Sequence, residues 1–466
     1  MDAERNAMKT SPLAFFGVTS RAMLAGLMMS LMSSAPGNAQ DARTSTLFQN
    51  VRVFDGKSSV LSAPTNILVR GNLIEKISTA PIPTDRSANT VIIDGKGRTL
   101  MPGLIDAHAH MAMSTIPVAL MMTADNNYSM LRQAKAAEEM LLRGFTSARD
   151  LGGPSFGLKR AIDEGYAVGP RIWPSGATIS QTSGHGDFRT VHDVPRGSAD
   201  PLHFTETKGY TSIADGVPEV LRRTRENLMQ GASQIKIMAG GGVASNYDPL
   251  DVSQYTDGEI HSAVDAAADW GTYVTVHAYT PRAMQRAIRA GVLCIDHGQL
   301  VDEETVKLMA EKGVWWSMQP FLEDEDMIPY AEGSANRMKQ IQLNKGTDNA
   351  YQLAKKYKVK LAWGTDTLFD AKLAARQGAQ LSKMVRWFSP AEVLAMATGI
   401  NGELLALSGP RTPYPGKIGV VEEGAFADLI LVEGDPLANI KLIEDPAKNF
   451  LVIMKDGKVY KNTVVP

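Results

Sequence analysis

Four histidines, one aspartate and one lysine in this 466-residue chain occupy positions where short apolar runs end or are interrupted. His108 and His110 close LIDAHAH, His277 lies in YVTVHAY, His297 in CIDHGQ, Asp366 ends KLAWGTD, and Lys236 interrupts QIKIMAGGG. Imidazole and carboxylate are the donors that zinc prefers, and cobalt or manganese fits the same set. Side chains alternate along a strand, so His108 and His110 share a face and can share an ion, whereas Lys236 points away from Ile235 and Ile237. A buried ammonium is costly unless it is paired, neutralised or chemically changed. A neutral lysine that takes up carbon dioxide becomes a carbamate, whose two oxygens can bridge two cations. The six residues therefore read as a two-metal hydrolytic site. His108, His110 and Asp366 would hold one divalent ion and His277 and His297 the other, with the carboxylated Lys236 and a hydroxide between them. Metals lower the pKa of water and polarise a carbonyl, and Asp366 would pass the proton to a departing amine. Each motif alone is weak, since Asp366 could as easily cap a helix. Four of only eight histidines falling on these runs is what joins them.

Between about Met101 and Gly409 the runs LIDAHAH, TSARDLG, RIWPSG, QIKIMAG, YVTVHAY, CIDHGQL, WWSMQP and KLAWGTD alternate with amphipathic stretches such as MLRQAKAAEEMLLRG and PEVLRRTRENLMQG. Strands alternating with helices give a parallel sheet, and eight repeats give an α/β fold of the (β/α)8 TIM-barrel type, whose site is built at the C-terminal strand ends. Residues 40–100 and 410–466 carry short alternating segments with the turn signals Asp55-Gly56, Arg70-Gly71-Asn72, Asp94-Gly95 and Asp456-Gly457. These read as hairpins of one small β-sandwich domain assembled from both chain ends around the 101–409 barrel. Ala177 to Gly216 is long and without periodicity, as functional loops often are. Leu322 to Lys356 reads as a charged, partly helical surface cover. Arg149 and Asp150 read as an internal ion pair, and Gly240, Gly241 and Gly242 as a place where substrate approaches the backbone.

The composition is that of a globular protein, with 44% apolar and 21% charged residues and a net charge of −2, and nothing in it marks a nucleic-acid binder. Arg5, Lys9 and Arg21 precede the apolar run AMLAGLMMSLM, with Gly37 and Ala39 before a possible cut at Gln40. This predicts a signal peptide over residues 1–39, translated from Met1 or Met8, and an exported, periplasmic or secreted product without a further membrane span. The single cysteine, Cys294, excludes an internal disulfide and reads as buried filler.

The stretches LMPGLIDAHAH, QIKIMAGGG, VHAY, GTD and GAFADLILVEGDPL together resemble the amidohydrolase superfamily, in its binuclear branch with a carboxylated lysine, over nearly the whole chain after residue 40. SQTSGHGD (180–187) is similar to the third-strand loop of the prolidase-like metallo-carboxypeptidases and N-acyl-amino-acid hydrolases, the group that includes ochratoxinase. That resemblance implies a substrate-binding role for the loop histidine His185; the same long loop carries Arg189 close to the barrel mouth, where a substrate's negative end could be held. Tyr279, two residues past His277 and on its face, is the candidate for holding the scissile group; ochratoxinase has histidine there. The resemblance also implies a homo-oligomer. The expected activity is hydrolysis of dipeptides or N-acyl amino acids with a free C-terminal carboxylate, ochratoxin-type amides included, using two divalent ions with zinc foremost. A cyclic-amide hydrolase or a deaminase or imidazolonepropionase on the same fold is the alternative, and an exported binding protein without catalysis the remote one.

Overall fold

The computed structural model describes residues 45–84, 90–197 and 200–464; the segment read as a signal peptide lies outside them. The N-terminal strands are β1 (Ser45–Val53), β2 (Thr65–Arg70), β3 (Leu73–Ser78), β4 (Thr90–Asp94) and β5 (Thr99–Pro102). The middle region supplies β6 (Leu104–Ala109), β7 (Phe145–Asp150), β8 (Arg171–Pro174), β9 (Thr178–Ser180), β10 (Thr211–Ile213), β11 (Ile235–Met238), β12 (Val274–Ala278), β13 (Cys294–His297), β14 (Trp315–Met318) and β15 (Leu361–Trp363). The chain closes with β16 (Leu429–Val432), β17 (Phe450–Lys455) and β18 (Lys458–Asn462).

Both chain ends enter one sheet, in the order β18-β17-β16-β5-β1-β2-β3 with β4 also on β1. β1 pairs with β2 and β4 along its first half and with β5 along its second, and the register shifts between Phe48 and Val51. Phe48, Val51, Val69, Leu100, Leu429 and Val452 bury their side chains in its core. Two turn signals act as expected. Gly71 (φ 60°) turns β2 into β3, and Asp456 and Gly457, both at positive φ, turn β17 into β18. Asp94-Gly95 does not make a hairpin: β4 and β5 both run parallel to β1, and the turn only redirects the chain between them.

All eight apolar runs of the middle region form strands. β6, β7 and β8 pair in parallel, as do β9 and β11 through β15. The third run forms β8, which pairs with β7, and the 177–216 segment read as loop contains two short strands, β9 and β10, of which β9 pairs with both β11 and β10. Helices separate the strands, among them Asn126–Leu142, Val217–Met229, Asp257–Asp269 and Pro281–Arg289. Their starts are fixed by side chains that accept orphan N–H groups, as Asp125 does from Tyr128 and Thr256 from Glu259. The strands are buried on both faces, which is why they read as near-continuous apolar sequence. β15 is fastened to β6 by Asp366 N–H donating to the His108 carbonyl (2.8 Å) and by the buried Asp106, which accepts from Thr365 N–H (3.1 Å) and Oγ1 (2.7 Å). Gly364 permits this approach, since a Cβ there would lie 2.4 Å from the His108 nitrogen. The result is an α/β fold of the TIM-barrel type. No described helix is long and apolar enough to cross a membrane.

Candidate metal centre

The eight residues singled out by sequence meet in one open cavity of about 1240 Å³: His108, His110, His185, Lys236, His277, Tyr279, His297 and Asp366 all line it. Lys236 lies within β11, and the others come from the C-terminal ends of β6, β12 and β13 and from the connections after β9 and β15. His297 and Asp366 adopt left-handed backbone conformations, with φ of 78° and 52°. Such conformations are strained for residues with a Cβ and concentrate at functional sites. Asp366 Oδ1 stands 3.0 Å from His110 Nε2 and 3.3 Å from His108 Nε2, and its Oδ2 3.8 Å from His297 Nδ1. One donor atom each from His108, His297 and Asp366 lies within 4.8 Å of the others, a grouping that could hold a metal ion.

The hydrogen bonds around the imidazoles suit ligation, because a metal-bound histidine usually donates its other N–H to an acceptor that fixes ring and tautomer. His277 Nε2 is 3.0 Å from the Gly241 carbonyl, leaving Nδ1 free. His297 Nδ1 is 2.7 Å from Gln319 Oε1, leaving Nε2 free. His108 Nδ1 lies 3.3 Å from both Asp296 Oδ1 and Gln319 Nε2, and its Nε2 stands beside Asp366. Burial opposes protonation of all four rings. It prevails at His110, His277 and His297, whose pKa values are lowered, while at His108 the Asp366 and Asp296 carboxylates outweigh it. Burial resists the charge of Asp366 too, but His108, His110 and His297 hold its carboxyl well below the usual range. The residues present thus fit a divalent cation: burial favours the neutral ring at His110, His277 and His297, Asp366 is held ionised, and acceptors fix the rings of His277 and His297.

Lys236 is buried, and its Nζ donates to Asp296 Oδ2 at 2.7 Å. Burial lowers its pKa despite that partner, which favours the neutral amine that can react with carbon dioxide. A carbamate nitrogen keeps one N–H, so a bond to Asp296 remains available after carboxylation. Asp296, which lies behind the candidate ligands, is the residue that sequence reasoning missed. Besides Lys236 it accepts from Arg149 Nη2 (2.7 Å) and Thr275 Oγ1 (2.7 Å), and Lys236 and Arg149 together drive its pKa far down against burial. The signal was in CIDHGQ, but strict alternation with an inward His297 turns Asp296 outward; the positive φ of His297 breaks that alternation.

Four further expectations are corrected. Arg149 and Asp150 do not pair, because neighbours on a strand face opposite ways; Asp150 instead accepts from Met111 N–H (2.8 Å) and Ser155 Oγ. Arg189 is not free to hold a substrate, since its guanidinium is forked onto Asp187 at 2.7 and 2.8 Å. The bare faces of Gly241 and Gly242 are taken up by the protein's own atoms. A Cβ on Gly241 would strike the Pro249 carbonyl at 1.8 Å, and one on Gly242 the His185 ring at 1.9 Å. The 322–356 segment is more than a surface cover: Leu322, Met327, Ile328, Tyr330 and Leu343 form a wall of the cavity. Its acidic residues turn to cations, Asp324 to Lys383 (2.9 Å) and Asp326 to Lys383 (3.2 Å) and Arg376.

His185 stacks on His277 with ring centres 4.1 Å apart, and its Nδ1 lies 2.8 Å from Ser245 Oγ. Burial lowers its pKa. Tyr279 stands 4.7 Å from the His277 ring and 5.2 Å from that of His297, and burial raises its phenol well above the ordinary value, so the O–H remains a donor.

Residues 99–461 match the profile described as Amidohydrolase family. Ochratoxinase of Aspergillus niger is 32% identical over 389 residues, covering 78% of this chain and 75% of its own. Among solved structures, an amidohydrolase is 35% identical with a TM-score of 0.82, covering 91% of this chain and 100% of its own. A prolidase complexed with N-methylphosphonate-L-proline is 33% identical with a TM-score of 0.80, covering 90% and 100%. With a site of hydrolytic character on the matching fold, this chain is a hydrolase and belongs to the amidohydrolase family, in the group of ochratoxinase and the prolidase-like enzymes.

Proposed function

We propose that this hydrolase cleaves the amide bond of dipeptides or N-acyl amino acids with a free C-terminal carboxylate, using two divalent ions. The fold underlying it is read as a closed (β/α)8 barrel with a small β-sandwich formed by both chain ends. The observation that carries the proposal is the buried convergence of Asp366 with His108, His110 and His297 on the floor of the cavity that Lys236 and His277 also line. His108, His110 and Asp366 would hold one ion, His277 and His297 the other, and carboxylated Lys236 would bridge them. When bound, the ions would supply a Lewis acid for the carbonyl and lower the pKa of the attacking water. Asp366, kept ionised by its histidines, accepts that water's proton on a carboxylate oxygen and delivers it to the departing amine nitrogen. The Tyr279 phenol donates to the scissile group. His185 receives the substrate's carboxylate at Nε2. Nδ1 is held by Ser245, and the arriving negative charge favours a proton on Nε2 against the effect of burial.

The prolidase relative and its proline-bearing ligand support an amino acid on the amine side. The apolar wall of Phe188, Phe321, Met327, Tyr330, Leu368 and Phe369 supports a bulky apolar partner on the other, and ochratoxin-type amides belong in the first screen. The test is a panel of dipeptides and N-acyl amino acids with zinc-loaded protein, each as free acid and as C-terminal amide. Free acids are expected to react far faster, because a site built for a charged group rejects analogues that leave its polar groups unpaired. Amides reacting as fast as acids would overturn the carboxypeptidase assignment.

A further inference from the structure

Lys339 belongs to the helix Ala335–Asn344 of the connection after β14, yet its side chain ends inside a different loop, the one after β11. Its Nζ donates to the carbonyls of Gly242 (3.0 Å), Ser245 (2.9 Å) and Asp248 (2.7 Å). An ammonium has three protons and no acceptor capacity, so three carbonyls at these distances satisfy it completely. The Asp248 carboxylate, 3.9 Å away, supplies countercharge. Asn336, three residues earlier on the same helix, adds bonds from Nδ2 to the Val243 (2.6 Å) and Ser245 (3.3 Å) carbonyls. The loop is thus wrapped around a cation that the protein carries itself.

What this loop touches gives the clamp its consequence. Ser245 Oγ donates to the Gly242 carbonyl (3.2 Å) and so is left to accept from His185 Nδ1 (2.8 Å). The bare face of Gly242 receives the His185 ring. We propose that Lys339 is a positioning residue for His185: by gathering the Gly242, Ser245 and Asp248 carbonyls, it fixes the loop that sets the ring position and the Nδ1–H tautomer of that histidine. The proposal rests on His185 contacting substrate, as assigned above, but its first two tests need no substrate.

Lys339→Met keeps the aliphatic stem and removes the charge, and Lys339→Ala opens room for a small cation. In the metal-loaded, substrate-free enzyme, both are expected to speed amide exchange across residues 242–248 by at least ~10-fold, as expected for a segment that opens locally. The nitrogen-15 resonances of the His185 ring should show loss of the pure Nδ1–H tautomer. Ethylammonium should restore slow exchange in Lys339→Ala, whereas tetramethylammonium, which has charge but no N–H, should not. With a cleaved substrate, Lys339→Met should raise KM about 10-fold with a smaller effect on kcat, and add little to His185→Ala. Wild-type exchange and tautomer in Lys339→Met would overturn the proposal. So would KM effects of Lys339→Met and His185→Ala that simply add. If the wild-type enzyme cleaves no amide, the functional assignment fails while exchange, tautomer and rescue still decide the role of Lys339.

Discussion

Replacing Asp296 by Asn tests whether the buried charge cluster behind the metal ligands is what holds them. Asp296 is fully buried and accepts from Arg149 and Lys236, each at 2.7 Å, and from Thr275 at 2.7 Å, with His108 Nδ1 at 3.3 Å. Asn keeps the shape but leaves Arg149, itself fully buried, without a countercharge. Removing one partner of a buried ion pair costs about 3–5 kcal/mol. For a chain of 466 residues, with an unfolding entropy of about 2.1 cal/mol/K per residue, that lowers Tm by about 3–5 °C. Loss of the carboxylate behind His108 should also weaken metal binding about 10- to 100-fold. The pH dependence has a definite sign. The folded-state pKa of Asp296 is depressed, so its stabilisation is complete above the unfolded carboxylate value of about 3.9 and is lost as pH falls further. The Tm gap between wild type and variant should therefore hold from pH 7 to about 5 and narrow only below about 4. Calorimetry across pH and competitive zinc titration measure both effects. A variant with wild-type Tm and zinc affinity at pH 7 would refute the reasoning, because Arg149 would have to be compensated elsewhere.

Lys236→Ala should lose bound metal and activity together, with partial recovery in bicarbonate or short carboxylates; elemental analysis finding full metal would make the lysine ordinary. Asp366→Asn should lower kcat about a hundred- to ten-thousand-fold, the usual cost of losing a general acid-base group, while retaining most metal; an unchanged kcat removes Asp366 from proton transfer. Burial raises the Asp150 pKa to about 7. The folded protein then binds a proton that the unfolded chain has released between about pH 4 and 7, so this carboxyl's contribution to stability falls as pH rises through that window. Asp150→Asn should flatten that slope in a Tm-against-pH series, and an unchanged slope would show that another group sets it.

The strand runs, the helix starts and the two-ended β-sheet follow from local pattern, because period, turn residues and caps are set within a few positions. The ligand candidates were legible for the same reason. A histidine or carboxylate at the end of an apolar run is conspicuous when histidines number only eight. Asp296 was not legible, since the left-handed backbone of His297 overrides the alternation on which a strand reading depends. The partners of Arg149 and Arg189 were not legible either. A charge next to another in sequence is paired with it only if the backbone turns both the same way, as it does from Asp187 to Arg189 and does not from Arg149 to Asp150. Lys339 lies nearly a hundred residues from the carbonyls it gathers, and nothing local in a helix names the loop that its side chain will enter. Sequence alone determined which residue types are available for chemistry and the kind of fold that carries them. The tertiary structure alone decided which charges meet, because charge pairing depends on distances that chain separation does not encode.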